Sequence, residues 1–424
     1  MFYTTLDIIG DYIKNVKIKM KCRICNKKIK DVFCDLGKSP LANSFLKKRT
    51  EFKKEKFYPL KVLFCKKCQL PQVPVHVTSK KIFTQYDYFS SYSQSWLDHS
   101  KRFARDIIKF LKLNKNSNVC ELASNDGYLL QFFKKEKINV LGVEPAKNVA
   151  VYAERKKIKT IKDFFSLKLS HRIKKKYGDQ HLVISNNVLA HVPDIKNFLR
   201  GIKNILSQEG IATFEFPHFL NLIKYNQFDT IYHEHFSYLT VSCLNKLFKK
   251  LGLKIFDVKK IDTHGGSLRV YACHENNYKF QISNEVKKII LEEIKLKIFH
   301  TRTFLIFGKK LIKIKKEFIK FICNTKKSGK TIAAYGAAAK GNTFLNYCKI
   351  NEKDIDFIVD KNPSKIQKYL PGSHIKTYNI NHLIKAKPNY LIILPWNIKK
   401  EIISQFKNKL NCRFVTCIPK IQIY

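Results

Sequence analysis

Residues 118–133 read "NVCELASNDGYLLQFF", and no other stretch restricts the fold of this chain as strongly. Val119 to Ala123 read as a buried strand. Ser124, Asn125, Asp126 and Gly127 are turn formers, and from Tyr128 onward the apolar residues recur at helical spacing. A strand that turns tightly into a helix commits the chain to crossover connections, and so to a parallel sheet covered by helices. The pattern recurs in "NVLGVEP", "HLVISNNVLAHVPD" and "GIATFEFPH", with helical periodicity between them. "LKIFDVKKID" and "GGSLRVYACHE" then read as a closing hairpin. The expectation is an α/β chain with a doubly wound, mostly parallel sheet.

Such a turn presents backbone amides to a nucleoside. The dinucleotide signature Gly-x-Gly-x-x-Gly is missing, which argues against an NAD-binding domain. Ala123, Asn125 and Gly127 fill the small-residue places, Asp126 lies in the turn and Glu121 sits on the strand. Glu144, followed by Pro145, ends the second strand, where a carboxylate can accept both ribose hydroxyls. Asp163 and Phe164 suit an adenine amino group and its face, and Asn186 and Asn187 close the fourth strand. Parallel strands finished by a hairpin resemble the plan of the class I S-adenosylmethionine methyltransferases. These eleven positions are the cofactor-binding candidates.

A chain of 424 residues exceeds one ordinary core. The reading divides it into a tail or appended start (1–19), a zinc-binding module (20–82), a methyltransferase domain (83–278), a helical connector (279–325) and a small Rossmann-like α/β domain (326–424). The methionines are Met1 and Met20, which is why residues 1–19 are set apart. The formal charge of +48 suggests nucleic acid taken alone, but it comes mostly from lysines scattered along the whole chain. Base readout and phosphate clamps favour arginine, so a solvated lysine surface is expected. No apolar run spans a bilayer and the N-terminus lacks a secretory pattern, so a cytoplasmic protein without a membrane partner is expected. A monomer is the working expectation.

Cys22-x-x-Cys25 and Cys65-x-x-Cys68 form two knuckles that together make a four-thiolate zinc site. Four thiolates leave no open position, so the zinc is expected to be structural. In such modules the ion supplies roughly 10–16 kcal/mol of apparent folding energy. The alternative is two unrelated thiol turns. Near the other end, "KTIAAYGAAAKGNTFLNY" is again strand, small-residue turn and helix, and "IDFIVDKNP" brings Asp360 to a strand end. Helix N-termini bind phosphate. Tyr335, Gly336, Lys340, Gly341 and Asn342 would suit a diphosphate, and Asp360 a ribose hydroxyl. The alternative is a domain that only packs on its neighbour.

The stretches "YDYFSSYS", "ELASNDGYLL", "GVEPAKNVA", "EFPHF", "FDTIYHEHFSYL", "THGGSLRVY", "YGAAAKGNT" and "LIILPWN" occur in order, together with the paired cysteines. With them the chain resembles the C-methyltransferases of nucleotide-diphosphate-linked keto-deoxysugars across residues 20–424. Two departures are Ala123, where glycine is usual, and Ala338, where proline is frequent. A sugar carbon becomes a nucleophile only beside a ketone, once a base removes its proton and the enolate oxygen is stabilised. The resemblance implies that His235 is the base, that Tyr232 bonds the keto oxygen and that Glu234 orients the cluster. It further implies that His191 and Tyr86 hold and cover the sugar, with His233 among the substrate-binding residues. S-adenosylmethionine would be the methyl donor, and carbon 3 of a 4-keto sugar the expected acceptor. Other readings of "YHEH" are a metal pair at His233 and His235, or a polar loop. At the level of function the rivals are O- or N-methylation of another small molecule, and a basic zinc-containing module on nucleic acid.

Overall fold

The computed structural model describes residues 20–86 and 88–424; the expectation for residues 1–19 lies outside the described residues. The chain groups into two compact units. One holds the described residues through His76, Phe219–Phe236 and Lys297–Tyr424, and the other holds Val77–His218 and Ser237–Leu296. Among the described residues no helix is long and apolar enough to cross a membrane.

In the first unit a short antiparallel pair, β1 (Met20–Lys21) and β2 (Lys28–Ile29), carries the first cysteine knuckle in its turn. A three-stranded antiparallel sheet follows: β3 (Asp31–Ser39), β4 (Tyr58–Cys65) and β5 (Leu70–Gln72). Its buried Phe33 meets the rings of Phe219, Phe304 and Phe307, each at 5.0 Å. A buried aromatic side chain of this kind contributes about 1.5–3 kcal/mol.

The second unit is built on a seven-stranded sheet. Its strands are β6 (Asn118–Leu122), β7 (Asn139–Val143), β8 (Thr160–Ile161), β9 (Gln180–Asn186), β10 (Leu206–Pro217), β11 (Leu253–Ile261) and β12 (Ser267–His274). Their order is β11-β12-β10-β9-β6-β7-β8, with β12 antiparallel to both of its neighbours and the other pairs parallel. This is the doubly wound class I methyltransferase plan. Leu182, Val183 and Ile184 on β9 are all buried, as a strand covered on both faces requires. The helix Ile195–Ile205 buries Ile195, Phe198, Leu199, Ile202 and Ile205, a single stripe at helical period, and Asp194 caps it by accepting from Asn197 N at 3.1 Å.

The turn after β6 alternates into the left-handed region at Ala123 (φ 55°), Asn125 (φ 50°) and Gly127 (φ 74°). An alanine there costs about 1–2 kcal/mol that a glycine would avoid. A Cβ on Gly127 would come within 2.6 Å of Ile158 Cδ1.

The first unit closes with a six-stranded sheet. It comprises β13 (Ile332–Tyr335), β14 (Phe357–Val359), β15 (Thr377–Tyr378), β16 (Tyr390–Ile393), β17 (Arg413–Thr416) and β18 (Gln422–Ile423). The order is β15-β14-β13-β16-β17-β18, parallel except for β18. Two helices, Asn284–Lys295 and Thr301–Lys327, precede it in sequence.

Candidate active site

The sulfurs of Cys22, Cys25, Cys65 and Cys68 all lie within 4.8 Å of one another. Burial, helped by the neighbouring sulfurs, pushes the Cys65 thiol up to about 11 and that of Cys68 higher still. Four thiolates cannot share this space without a cation. Their mutual spacing and thiol chemistry fit a tetrahedral zinc ion.

At the carboxyl ends of β6 and β9 the second unit buries polar atoms that have no hydrogen-bond partner among the described residues. They are both carboxylate oxygens of Glu121, Asp126 Oδ1, Asn186 Oδ1 and Asn187 Oδ1. Buried polar atoms are normally paired, so this set fits a polar ligand such as S-adenosylmethionine. Burial raises Glu121 well above the usual carboxylate range; the Tyr128 hydroxyl opposes this without meeting hydrogen-bond geometry. Glu144 accepts from Asn125 N at 2.8 Å and Ala146 N at 2.7 Å, and burial still pushes it up to about 7. Each of its oxygens retains a second lone pair for a ribose hydroxyl. Pro145 and Phe164 are half-buried and Asp163 is exposed.

Asn125 and Asp126 have a further task. Asn125 bonds Ser90 N (2.9 Å) and Tyr88 O (3.1 Å), and Asp126 accepts from Ser91 N (3.1 Å). The turn thus pins the tyrosine-rich segment beside it. Tyr86 is held through its backbone by Asn148, and its ring meets Phe83, which in turn meets His191, each at 5.5 Å edge to face. The structure therefore joins Tyr86 and His191 through Phe83.

The "YHEH" stretch belongs to the first unit. His235 N bonds Tyr232 O at 3.0 Å and closes a four-residue turn with His233 and Glu234 at its centre. The turn brings its end residues together. The rings of Tyr232 and His235 lie 4.0 Å apart, with Tyr232 Oη 2.7 Å from His235 Nε2. His235 Nδ1 lies 2.8 Å from the Thr230 carbonyl, which can only accept. The network therefore places the proton on Nδ1 and leaves the Nε2 lone pair toward the phenol.

His233 and Glu234 point elsewhere. Glu234 is buried and accepts from Asn43 Nδ2 at 2.8 and 2.9 Å, one contact to each oxygen. His233 donates from Nε2 to Pro59 O at 3.2 Å and packs against Tyr58 and His76, and burial lowers it to about 4. The structure thus pairs Tyr232 with His235, whereas His233 is spent on the zinc module.

In the last sheet Ala337 N donates to Asp360 Oδ2 and Asn362 N to Oδ1, each at 2.8 Å. The buried Lys365 donates to Ala337 O at 2.8 Å, with Nζ 3.6 Å from Asp360. A Cβ on Gly336 would meet Pro395 Cδ at 2.5 Å, and one on Gly341 would meet Leu394 Cδ1 at 2.7 Å. Tyr335 lies in the apolar core with Phe406. These residues serve packing first. Two retain chemistry: Asn342 Nδ2 is buried without a partner among the described residues, and Lys340 stands 5.3 Å over the Trp396 ring beside Asp229. Asp229 is buried and accepts from Trp396 Nε1 at 2.7 Å.

Sequence reasoning missed Asn43, the Thr230 carbonyl and the role of Asp229. It also missed a buried cluster in the second unit, in which Glu215 accepts from Arg269 Nη2 (2.8 Å) and Thr263 Oγ1 (3.1 Å), with His99 Nε2 at 3.1 Å. Asp229, Glu215 and Arg269 do lie inside the motifs quoted above, which was the available signal.

Three family models cover most of the chain. One described as "Putative zinc binding domain" matches residues 22–83, "Methyltransferase domain" matches 96–258, and "C-methyltransferase C-terminal domain" matches 262–419. C-methyltransferase NovU of Streptomyces niveus is 31% identical over 408 residues, 95% of this chain and 96% of its own. An S-adenosylmethionine-dependent methyltransferase from Clostridium acetobutylicum is 12% identical over 42% of this chain and 92% of its own, with a TM-score of 0.34. Magnesium protoporphyrin IX methyltransferase from Synechocystis, solved with bound SAM, is 13% identical over 48% of this chain and 100% of its own, with a TM-score of 0.35. The fold assignment stands on the strand order itself.

Proposed function

The chain belongs to the three-module family of S-adenosylmethionine-dependent C-methyltransferases, and on that premise we propose that it methylates the carbon beside the ketone of a nucleotide-diphosphate-linked keto-deoxysugar. The observation that carries the reading is the Tyr232–His235 pair with its fixed tautomer. Methyl transfer to oxygen or nitrogen does not require a carbon acid to be ionised. Transfer to carbon does, and an imidazole lone pair held beside a phenol is suited to it.

His235 Nε2 takes the proton from the carbon alpha to the ketone, and the C–H electron pair moves into the enolate. The Thr230 carbonyl stabilises the imidazolium through Nδ1–H. The keto oxygen competes with Nε2 for the Tyr232 hydrogen, so the phenol follows the charge to the enolate oxygen. Glu234, fixed by Asn43, keeps the turn in place. Bound S-adenosylmethionine supplies an electrophilic sulfonium methyl. Glu144 and the unsatisfied atoms of Glu121, Asp126 and Asn186 are the groups for its ribose and amino-acid ends. His191 and Tyr86 are the sugar contacts in this reading. Asn342 and Lys340 are the nucleotide contacts in this reading, with Asp360 bonded within its own turn. The zinc site has no catalytic step.

The test is proton exchange in heavy water with a thymidine-diphosphate 4-keto-6-deoxysugar and no methyl donor, followed by NMR at carbon 3. Exchange is expected in the wild type and should fall by about 10²–10⁴-fold in His235→Gln. Wild-type protein that binds S-adenosylmethionine yet exchanges nothing would sink the reading.

A further inference from the structure

The first zinc knuckle reads Cys22-Arg23-Ile24-Cys25, and its arginine reaches further than a zinc module requires. Arg23 Nη1 donates to the Phe236 carbonyl at 3.0 Å, and Nη2 donates to Val73 O at 2.5 Å. The backbone N and Nη1 of Arg23 both donate to Gln72 Oε1, at 3.1 and 3.3 Å. The guanidinium lies 5.5 Å over the Phe236 ring. Gln72 is fully buried, and its Nε2 contacts Cys22 Sγ at 3.5 Å. Val73 N meets the same Phe236 carbonyl at 3.0 Å. Phe236 is the residue that follows His235.

We propose that Arg23 is a positioning residue for the base, fixing the carbonyl next to His235 to the zinc knuckle. The inference rests on the role given to His235 above. The residues around the base are gripped from the same module: His233 by Pro59 O, Glu234 by Asn43 and Phe236 by Arg23 and Val73. His235 itself takes its bonds from Thr230 and Tyr232. His235 is thus carried on a backbone held on both sides. An arginine is needed because its planar fork serves Gln72, Phe236 and Val73 at once, which a lysine ammonium cannot do in one geometry. A base displaced by about 1 Å loses about 10²-fold in rate, so a carbonyl anchor one residue away is well placed to set the rate without touching substrate. This gives a zinc site without catalytic chemistry a part in catalysis.

The test compares wild type, Arg23→Ala and Arg23→Lys for zinc content, S-adenosylmethionine affinity, kcat, KM and carbon-3 proton exchange. Hydrogen exchange at the backbone amides of residues 230–237 is followed in parallel. R23A is expected to keep its zinc and its S-adenosylmethionine affinity, and KM should stay within about twofold. Its kcat and proton exchange should fall together by about 30–100-fold, with faster amide exchange confined to 230–237. R23K should fall between R23A and wild type. Wild-type rates in a folded, zinc-loaded R23A or R23K overturn the proposal. If R23A alone fails to hold zinc, R23K decides. If neither holds zinc, Arg23 is a folding residue and the proposal fails. Absence of exchange in the wild type would instead overturn the enolisation reading, whatever the variants do.

Discussion

The two doubly wound sheets begin with the same device and complete it differently. After β6, Asn125 N donates to Glu144 at the end of β7; after β13, Ala337 N donates to Asp360 just beyond β14, both at 2.8 Å. In the second unit burial holds Glu144 up at about 7, and among the described residues no cation accompanies it and the strand ends nearby carry buried oxygens without partners. In the first unit Lys365 caps both Asp360 and the turn carbonyl, and Pro395 and Leu394 fill the space over the glycines. One acid is served by backbone N–H groups alone, and the other also stands against a lysine. A strand–small turn–helix pattern therefore predicts a fold more reliably than a ligand. What separates the cases is the charge balance at the end of the second strand.

The contrast can be broken most forcefully at Asp360. Asp360→Asn leaves Lys365 buried without its counter-charge and should cost about 2–3 kcal/mol in chemical denaturation, with S-adenosylmethionine affinity unchanged. Equal loss of cofactor affinity would mean that the two turns do not differ as described. Glu144→Gln should do the reverse. Calorimetry is expected to show S-adenosylmethionine affinity reduced about tenfold or more, since a charged acceptor becomes neutral. The stability of the unliganded protein at pH 8 should change by no more than about 1 kcal/mol, because relief of the buried charge offsets the one backbone N–H that the Gln amide nitrogen cannot serve. The smallest effect is a titration. Burial raises Glu144 from its usual 4.5 to about 7, so the unliganded fold favours the protonated acid. This group's contribution to stability is present below pH 4.5 and is lost as pH rises through about 7. Ribose binding prefers the carboxylate, so affinity should rise severalfold from pH 6 to 8, and E144Q should flatten the rise.

Local chemistry was legible in the sequence and long-range chemistry was not. The cysteine pairs, the acid after β7 and the Tyr-x-x-His spacing are short patterns with their own mechanics. The partners of those patterns are not. Asn43 reaches Glu234 across 191 positions from a stretch with no motif of its own, and Arg23 reaches Phe236 across 213 from an x position of the first knuckle, where the motif specifies no residue type. Lys365 is one of 81 basic residues, and nothing in its neighbourhood marks it as buried. The Thr230 contribution is a backbone carbonyl, which has no residue type to read. Tyr335 shows the opposite limit: a tyrosine beside a glycine turn suggests a ligand, but its alternation along β13 turns it into the core.

The placement of Phe33 bears on how the protein is made. Its ring partners are Phe219, Phe304 and Phe307, the last 274 positions downstream (307 minus 33). At a synthesis rate of about 5–20 residues per second, the side chain waits roughly 14–55 s on the ribosome before its stacking partner exists. A thiol-rich segment with an uncovered aromatic face must remain soluble through that interval. Early zinc capture at Cys22, Cys25, Cys65 and Cys68 is possible long before then, and it would keep the nascent N-terminal module folded while the rest of its unit is still unwritten.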